Sequence, residues 1–279
     1  MVIDAHQHFW RIGEHACTWP TPDLGAIYRD CLPMELEPLA QAAGVTGSVL
    51  VQSQESDLDT EFLLRLADES SLIKAVVGWV DLLSPLAAAR IQRLARHPKM
   101  RGLRPMLQGL PQDNWILQPD LEPAITEMQA SNLSFDALVN VRQLPYLRIF
   151  AKRHQGLPMV IDHAAKPNIA NNEFAAWEGG LAAMAELPQV CCKLSGLLTE
   201  ANAEQGLDEL RPYAINMFHL FGAERLMWGS DWPVLTLAPN TRYASYGDWL
   251  DLAKQLLPIA SASELEAIFG ATAQSFYRF

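Results

Sequence analysis

The 279-residue chain has few cysteines, no basic run and no long apolar stretch. Its four cysteines stand at positions 17, 31, 191 and 192, a spacing that fits neither a metal knuckle nor a disulfide framework, and they read as buried free thiols. Cys191 and Cys192 are neighbours in one strand and so face opposite sides. No apolar run reaches the length of a membrane-spanning helix, so no membrane is expected as a partner. The start, Met1-Val2-Ile3-Asp4-Ala5-His6, lacks a basic region, an apolar stretch and a small-residue cleavage site, and the expected location is cytoplasmic. With 21 Lys plus Arg against 32 Asp plus Glu, the formal charge of -11 excludes nucleic acid, which needs a concentrated positive surface. No glycine-rich phosphate loop follows the first strand, which counts against an open dinucleotide-binding sheet. Linkers, repeats and low-complexity tracts are also missing, so residues 1–279 read as one domain.

What the chain does have is alternation. Eight short apolar, β-branched segments recur: Val2–His6, Val45–Gln52, Ala75–Val80, Met100–Met106, Leu133–Val139, Leu157–His163, Val190–Leu194 and Leu226–Asp231. Their near-continuous apolarity fits strands covered on both faces. Helical spacing fills most of the gaps. Pro33 to Ala43 carries Leu36, Leu39, Ala40 and Ala43 on one side and stops at Gly44. Asp59 to Ser70 groups Phe62, Leu63, Leu66 and Ala67, and Ser84-Pro85-Leu86-Ala87 reads as a cap followed by proline at the first helical position. Leu121 to Ala130, Gly247 to Leu257 and Ala262 to Phe269 are further helices, the last stopping at Gly270. This order matches a single-domain (β/α)8 TIM barrel, with residues 9–31 as an ordered loop over the mouth or around the side.

In such a barrel the C-terminal strand ends open onto one mouth. His6 and His8 end the first strand, two residues apart, where both rings can share a face and serve one ion or one water. Gln52, Asp81, Arg104, Asp136, His163 and Asp231 lie at or near the ends of other strands. Each has a plainer role open to it: Asp4 as a partner for backbone N–H groups, His8 as a surface ring, His163 as a satisfied core histidine, Asp231 as a loop cap. Lys193 and Ser195 form a further polar pair near the end of strand seven, with Lys193 orienting a carboxylate or neutralising a buried neighbour.

Three segments together resemble the metal-dependent hydrolase, or amidohydrolase, superfamily: Asp4-Ala5-His6-Gln7-His8-Phe9-Trp10, His163-Ala164-Ala165-Lys166-Pro167 and Leu226-Met227-Trp228-Gly229-Ser230-Asp231-Trp232-Pro233. More narrowly they are similar to its amidohydrolase-2 branch, which contains sugar lactonases such as fuconolactonase and rhamnonolactonase alongside dicarboxylate lactonases. The resemblance implies that His6, His8, His163 and Asp231 surround the hydrolytic water as catalytic groups, or hold one zinc or manganese ion. It also implies that the site is not binuclear, because Arg104-Pro105 stands where a bridging lysine belongs and no histidine ends strand five near Val139-Asn140. Members of the branch that work without metal leave the cofactor open between none and one ion.

Both routes make Asp231 the general base, able to return its proton to the leaving alkoxide. Candidate substrate contacts are Gln52, Arg104, Arg142, Lys166, Asp136 and the indoles of Trp79, Trp115 and Trp232. A guanidinium fork suits a carboxylate and an indole face suits the C–H side of a sugar. The expected activity is hydrolysis of a sugar-acid lactone, a small-molecule substrate. Alternatives are a carboxylated lactone from aromatic degradation, a decarboxylation and a non-enzymatic binding barrel. Oligomeric state is not legible from the helix faces.

Overall fold

The computed structural model describes residues 1–279. Eight strands pair in parallel in sequence order: β1 Val2–Gln7, β2 Val45–Val51, β3 Ile73–Gly78, β4 Met100–Leu103, β5 Ser134–Ala137, β6 Met159–Ile161, β7 Val190–Leu194 and β8 Leu226–Trp228. The helices around them are α1 Pro33–Ala42, α2 Asp57–Glu69, α3 Ala87–Leu94, α4 Glu122–Ala130, α5 Leu144–Arg153, α6 Phe174–Ala185, α7 Leu207–Phe221 and α8 Tyr246–Gln255. The chain is a (β/α)8 barrel. Its closure lies beyond β8, where Asp231 N–H donates to the His6 carbonyl at 2.8 Å and His8 N–H to the Trp232 carbonyl at 2.8 Å.

The core has two layers because strand side chains alternate. Ile3, Ala5, Val49, Val51, Ala75, Val77, Val160, Cys191 and Met227 form one cluster, joined by Ala273 and Tyr277 of the C-terminal helix. The larger cluster holds Leu50, Val76, Phe135, Cys192 and Trp228 with the apolar stripes of the surrounding helices. Cys191 and Cys192 thus part to opposite sides, and all four cysteines are free. No helix is long and apolar enough to cross a membrane.

Three local expectations are corrected. The third helix begins at Ala87 behind Leu86, with no side-chain cap, and the Ser84 hydroxyl accepts Leu86 N–H at 3.2 Å within the preceding turn. Gly270 does not end the last helix, which continues through a π-type turn over Ala267–Ala271 to Tyr277. There a Cβ would fall 2.3 Å from the Met1 carbonyl oxygen, so glycine lets this turn seat against the chain start. Strands six and eight also end earlier than expected, at Ile161 and Trp228, leaving His163 and Asp231 on the turns that follow.

Residues 8–32 lead from β1 to α1 as a loop with one short bridge, Trp10 to Cys31. Gln54 holds this loop at the mouth: its Oε1 accepts Thr18 N–H at 2.9 Å and Trp19 N–H at 3.2 Å, and its Nε2 donates to the Trp19 carbonyl at 2.6 Å. On the same loop, His15 stacks on Phe62 with ring centres 4.0 Å apart and meets Asp59 at 2.9 Å.

Candidate active site

A shift in the β1–β2 register between Asp4 and Gln7 breaks the regular alternation of β1. Asp4 consequently turns to Ser230 and to Tyr246 of α8, while His6 and His8 turn into the mouth, their Nε2 atoms 3.1 Å apart. His163 arrives by a different device. His163, Ala164, Ala165 and Lys166 all have positive φ, between 51° and 60°. Each non-glycine residue there costs roughly 1–2 kcal/mol, so this turn stands only because its surroundings fix it. Trp177 Nε1–H donates to the Ala164 carbonyl at 2.7 Å, and Ala164 and Ala165 are fully buried. Asp231 has a φ of 57°, another left-handed residue held by its neighbours.

These turns bring four groups together. Asp231 Oδ1 lies 3.3 Å from His8 Nε2, 3.7 Å from His6 Nε2 and 3.9 Å from His163 Nε2. His8 Nδ1 bonds to the Val51 carbonyl at 2.8 Å and His163 Nδ1 to Ser195 Oγ at 2.9 Å, which orients both rings with Nε2 inward. Burial pushes the His163 imidazole down to about 4, against the pull of Asp231 and Asp162. Burial alone would raise Asp231, but His163, His8 and His6 outweigh it and hold the carboxyl well below its usual range. At neutral pH the pair is therefore a carboxylate beside a neutral ring.

The ligand atoms of His6, His163 and Asp231 lie within 4.8 Å of one another. Nitrogen and oxygen ligands about 2.1 Å from a tetrahedral ion stand roughly 3.4 Å apart, so the donor types and spacing fit one divalent ion with His8 at its edge.

Beneath them lies a buried ionic network that sequence reading did not assemble. Lys193 Nζ lies 3.1 Å from His6 Nδ1, 2.7 Å from Asp136 Oδ2 and 3.0 Å from Asp162 Oδ1. Tyr277 donates to Asp136 at 2.6 Å, and Arg104 Nη1 reaches Asp162 at 3.4 Å. Burial opposes charge on Asp162, yet Lys193, His6 and Arg104 hold it well below the usual carboxylate range. Burial drives the His6 ring well down, helped by Lys193 and opposed by Asp162. Asp162 was missed although it directly follows the apolar run Met159-Val160-Ile161, where an aspartate is a signal in its own right.

Above the four groups opens a cavity of about 600 Å³. His8, His163, Asp231, Arg104 and Lys166 line it, with Thr18 and Trp19 from the long loop and Ser53, Gln54, Glu55 and Gln108 from others. Several expected contacts lie elsewhere. Gln52 sits behind the wall, its Nε2 donating to the Arg104 carbonyl at 2.7 Å while Arg104 Nη2 donates to the Gln52 carbonyl. Asp136 is fully buried in the Lys193 network. Trp232 packs against Phe9, with ring centres 5.8 Å apart. Trp115 lines a separate small recess with Leu107, Ile116 and Val139, and Arg142 is spent on Asp113 and the Gln108 carbonyl. The polar residues after β2 and the loop glutamines offered no periodic pattern that would mark them as cavity lining.

Three imidazoles and a carboxylate meet at the C-terminal face of a (β/α)8 barrel, an arrangement able to hold a water or a single ion. The chain belongs to the amidohydrolase family, whose model, described as Amidohydrolase, matches residues 3–279. It is 49% identical over 277 residues to an L-fucono-1,5-lactonase of Burkholderia ambifaria, covering 99% of this chain and 95% of that protein. An L-fucono-1,5-lactonase of Burkholderia multivorans is 38% identical, again over 99% and 95% of the two chains. A crystal structure of a Burkholderia multivorans amidohydrolase with bound zinc superimposes with a TM-score of 0.92 at 38% identity, covering 100% of this chain and 99% of that one.

Proposed function

We propose that this enzyme hydrolyses a sugar-acid lactone of the L-fucono-1,5-lactone type to the open-chain acid. The observation that carries this reading is the meeting of Asp231 with three imidazoles, two of which line a cavity of about 600 Å³ with it, in a chain about half identical to a fuconolactonase. Water lodged against Asp231 gives it a proton as the water oxygen attacks the lactone carbonyl carbon. Arg104, on the cavity wall, faces the negative charge that develops on the carbonyl oxygen. Collapse of the intermediate breaks the ring C–O bond, and Asp231 returns its proton to the leaving alkoxide. The new carboxylic acid releases its own proton to solvent at neutral pH. His6, His163 and Asp231, with His8 beside them, would hold a zinc or manganese ion, which when bound lowers the pKa of a coordinated water and polarises the carbonyl.

Charge on the wall favours a neutral polyhydroxylated ring over a ring bearing carboxylates. Arg104 is already paired with Asp162 and Lys166 with Glu200 at 3.2 Å, while Glu55 adds a carboxylate to the wall. Each cation is thus already balanced by a carboxylate, so the wall carries little net positive charge for a ring bearing several carboxylates. Gln108, Ser53 and Thr18 supply hydroxyl partners, and Trp19 supplies an aromatic face. Four free cysteines suit a reducing compartment, in keeping with a cytoplasmic enzyme.

The test is a panel of aldonolactones and carboxylated lactones followed by proton release and product analysis. The expected result is ring opening of an aldonolactone with one proton released and no carbon dioxide. Asp231→Asn should lose roughly 10²- to 10⁴-fold in turnover while keeping its circular dichroism. Near-normal turnover of that variant, or release of carbon dioxide, overturns the reading.

A further inference from the structure

Most polar side chains on the cavity wall already have partners within the protein. Asp231 meets the three imidazoles, Arg104 meets Asp162 at 3.4 Å and Lys166 meets Glu200 at 3.2 Å. Gln54 is bonded to Thr18 and Trp19, and its Nε2 also donates to Ser53 Oγ at 3.0 Å. Glu55 stands apart. It is exposed and lines the cavity, and burial raises its carboxyl from 4.5 with no neighbouring charge or hydrogen bond to counter it. Its backbone is held on both sides: Gln54 N–H donates to Asp59 Oδ2 at 3.3 Å, and Ser56 Oγ caps α2 by accepting Leu58 N–H at 3.1 Å. A carboxylate with its acceptor capacity unused is thus offered to the cavity from an anchored point.

An ionised carboxylate only accepts hydrogen bonds, so its ligand must bring the donors. Hydroxyls on a sugar ring do so, whereas carboxylates on a ring bring acceptors and a like charge. Gln108, held through its carbonyl by Asn140 and Arg142, also lines the cavity, but its amide can donate or accept and makes no such distinction. We propose that Glu55 is a specificity-determining residue that accepts hydrogen bonds from two adjacent hydroxyls of the substrate ring, one at each carboxylate oxygen. The role rests on the lactone reading and narrows the substrate to rings carrying a vicinal diol. Two parallel bonds to one carboxylate fix the orientation of the ring as well as adding affinity. Glu55→Gln keeps one acceptor, turns the other into a donor and removes the charge, a change worth about 10- to 100-fold in binding.

The test compares the unsubstituted protein with Glu55→Gln on two lactones of equal ring size, an aldono-1,5-lactone and hydroxyl-free δ-valerolactone. The ratio of their kcat/KM values should fall about 10- to 100-fold in the variant, through loss of the hydroxylated substrate. Distortion of the wall would lower both values together, so an unchanged ratio overturns the proposal. Calorimetry with a 1,5-anhydroalditol, which has the hydroxylated ring without the carbonyl, reads the same contact without turnover. Its Kd should rise about 10- to 100-fold in Glu55→Gln. Binding that is absent, or equal in the two proteins, overturns the role of Glu55 even when lactones are opened. Weakened binding in the variant, with no lactone opened by the unsubstituted protein, removes the lactone reading and leaves Glu55 as a ring-binding residue.

Discussion

Asp4 Oδ1 accepts the backbone N–H of Ser230 at 2.8 Å and Asp4 Oδ2 accepts the Ser230 hydroxyl at 2.6 Å, across 226 residues of chain. Tyr246 adds a third donor at 3.0 Å. This clamp fastens the start of the barrel to the residue before Asp231, and so sets the distance from His6 to the proposed general base. Asp4→Asn removes the charge from these bonds and leaves an N–H₂ facing donors, a loss of about 2 kcal/mol. The expected result is a melting temperature lower by roughly 5 °C together with reduced turnover, read by calorimetry and lactone assay. An unchanged melting temperature and rate would remove the clamp role.

Two glycines set how closely the site rings pack. A Cβ on Gly229 would lie 2.7 Å from His6 Cβ, and one on Gly196, whose φ is 66°, would lie 2.7 Å from the His163 ring. Gly196→Ala and Gly229→Ala should each cost about 1–3 kcal/mol and push one ring off its position. Turnover should fall by an order of magnitude or more, about the size expected when reacting groups are displaced. Full activity in either variant would show that the rings tolerate displacement.

Gln54 ties the long loop to the cavity wall through three hydrogen bonds to Thr18 and Trp19. Gln54→Ala frees that wall without touching Asp231 or the imidazoles. The prediction is a KM raised about tenfold with kcat changed little, as for a loss of uniform binding. Hydrogen exchange at Thr18 and Trp19 should quicken; unaltered exchange would mean the loop is held by other contacts.

His154 supplies a pH dependence away from the site. Burial lowers its pKa from 6.5, against Glu122 at 3.5 Å and with help from Arg153. The unfolded chain then binds a proton that the folded one does not, so this group's share of stability is intact above 6.5 and declines as pH falls below it. His154→Phe should flatten the slope of stability with pH between about 7 and 5. A slope identical to that of the unsubstituted protein would exclude His154 as its source.

Reading along the chain located what is local. His6 and His8 share a strand end, and the run Met159-Val160-Ile161 announces a buried strand just before His163. The structure places those rings with Asp231 around one space. Helix bounds fell within a few residues, except at Ser84 and Gly270, where a turn contact and the approach of Met1 outweighed the usual capping preferences. Trp115 and Arg142 carried suitable chemistry for a sugar or a carboxylate, but their loops point them into other contacts. No periodicity encodes where a loop side chain ends.

By itself the sequence determined the barrel, because burying both faces of eight strands leaves a pattern that neighbouring residues carry, and it determined the residue types at the strand ends. The tertiary structure alone decided how those residues meet. Lys193 and His6 are 187 residues apart, and their contact exists because closing the barrel removes both from water and leaves each other's atoms, with Asp136 and Asp162, as the available partners. The left-handed turn at His163–Lys166 follows the same logic: it is unfavourable locally, and packing against Trp177 and Ser195 selects it.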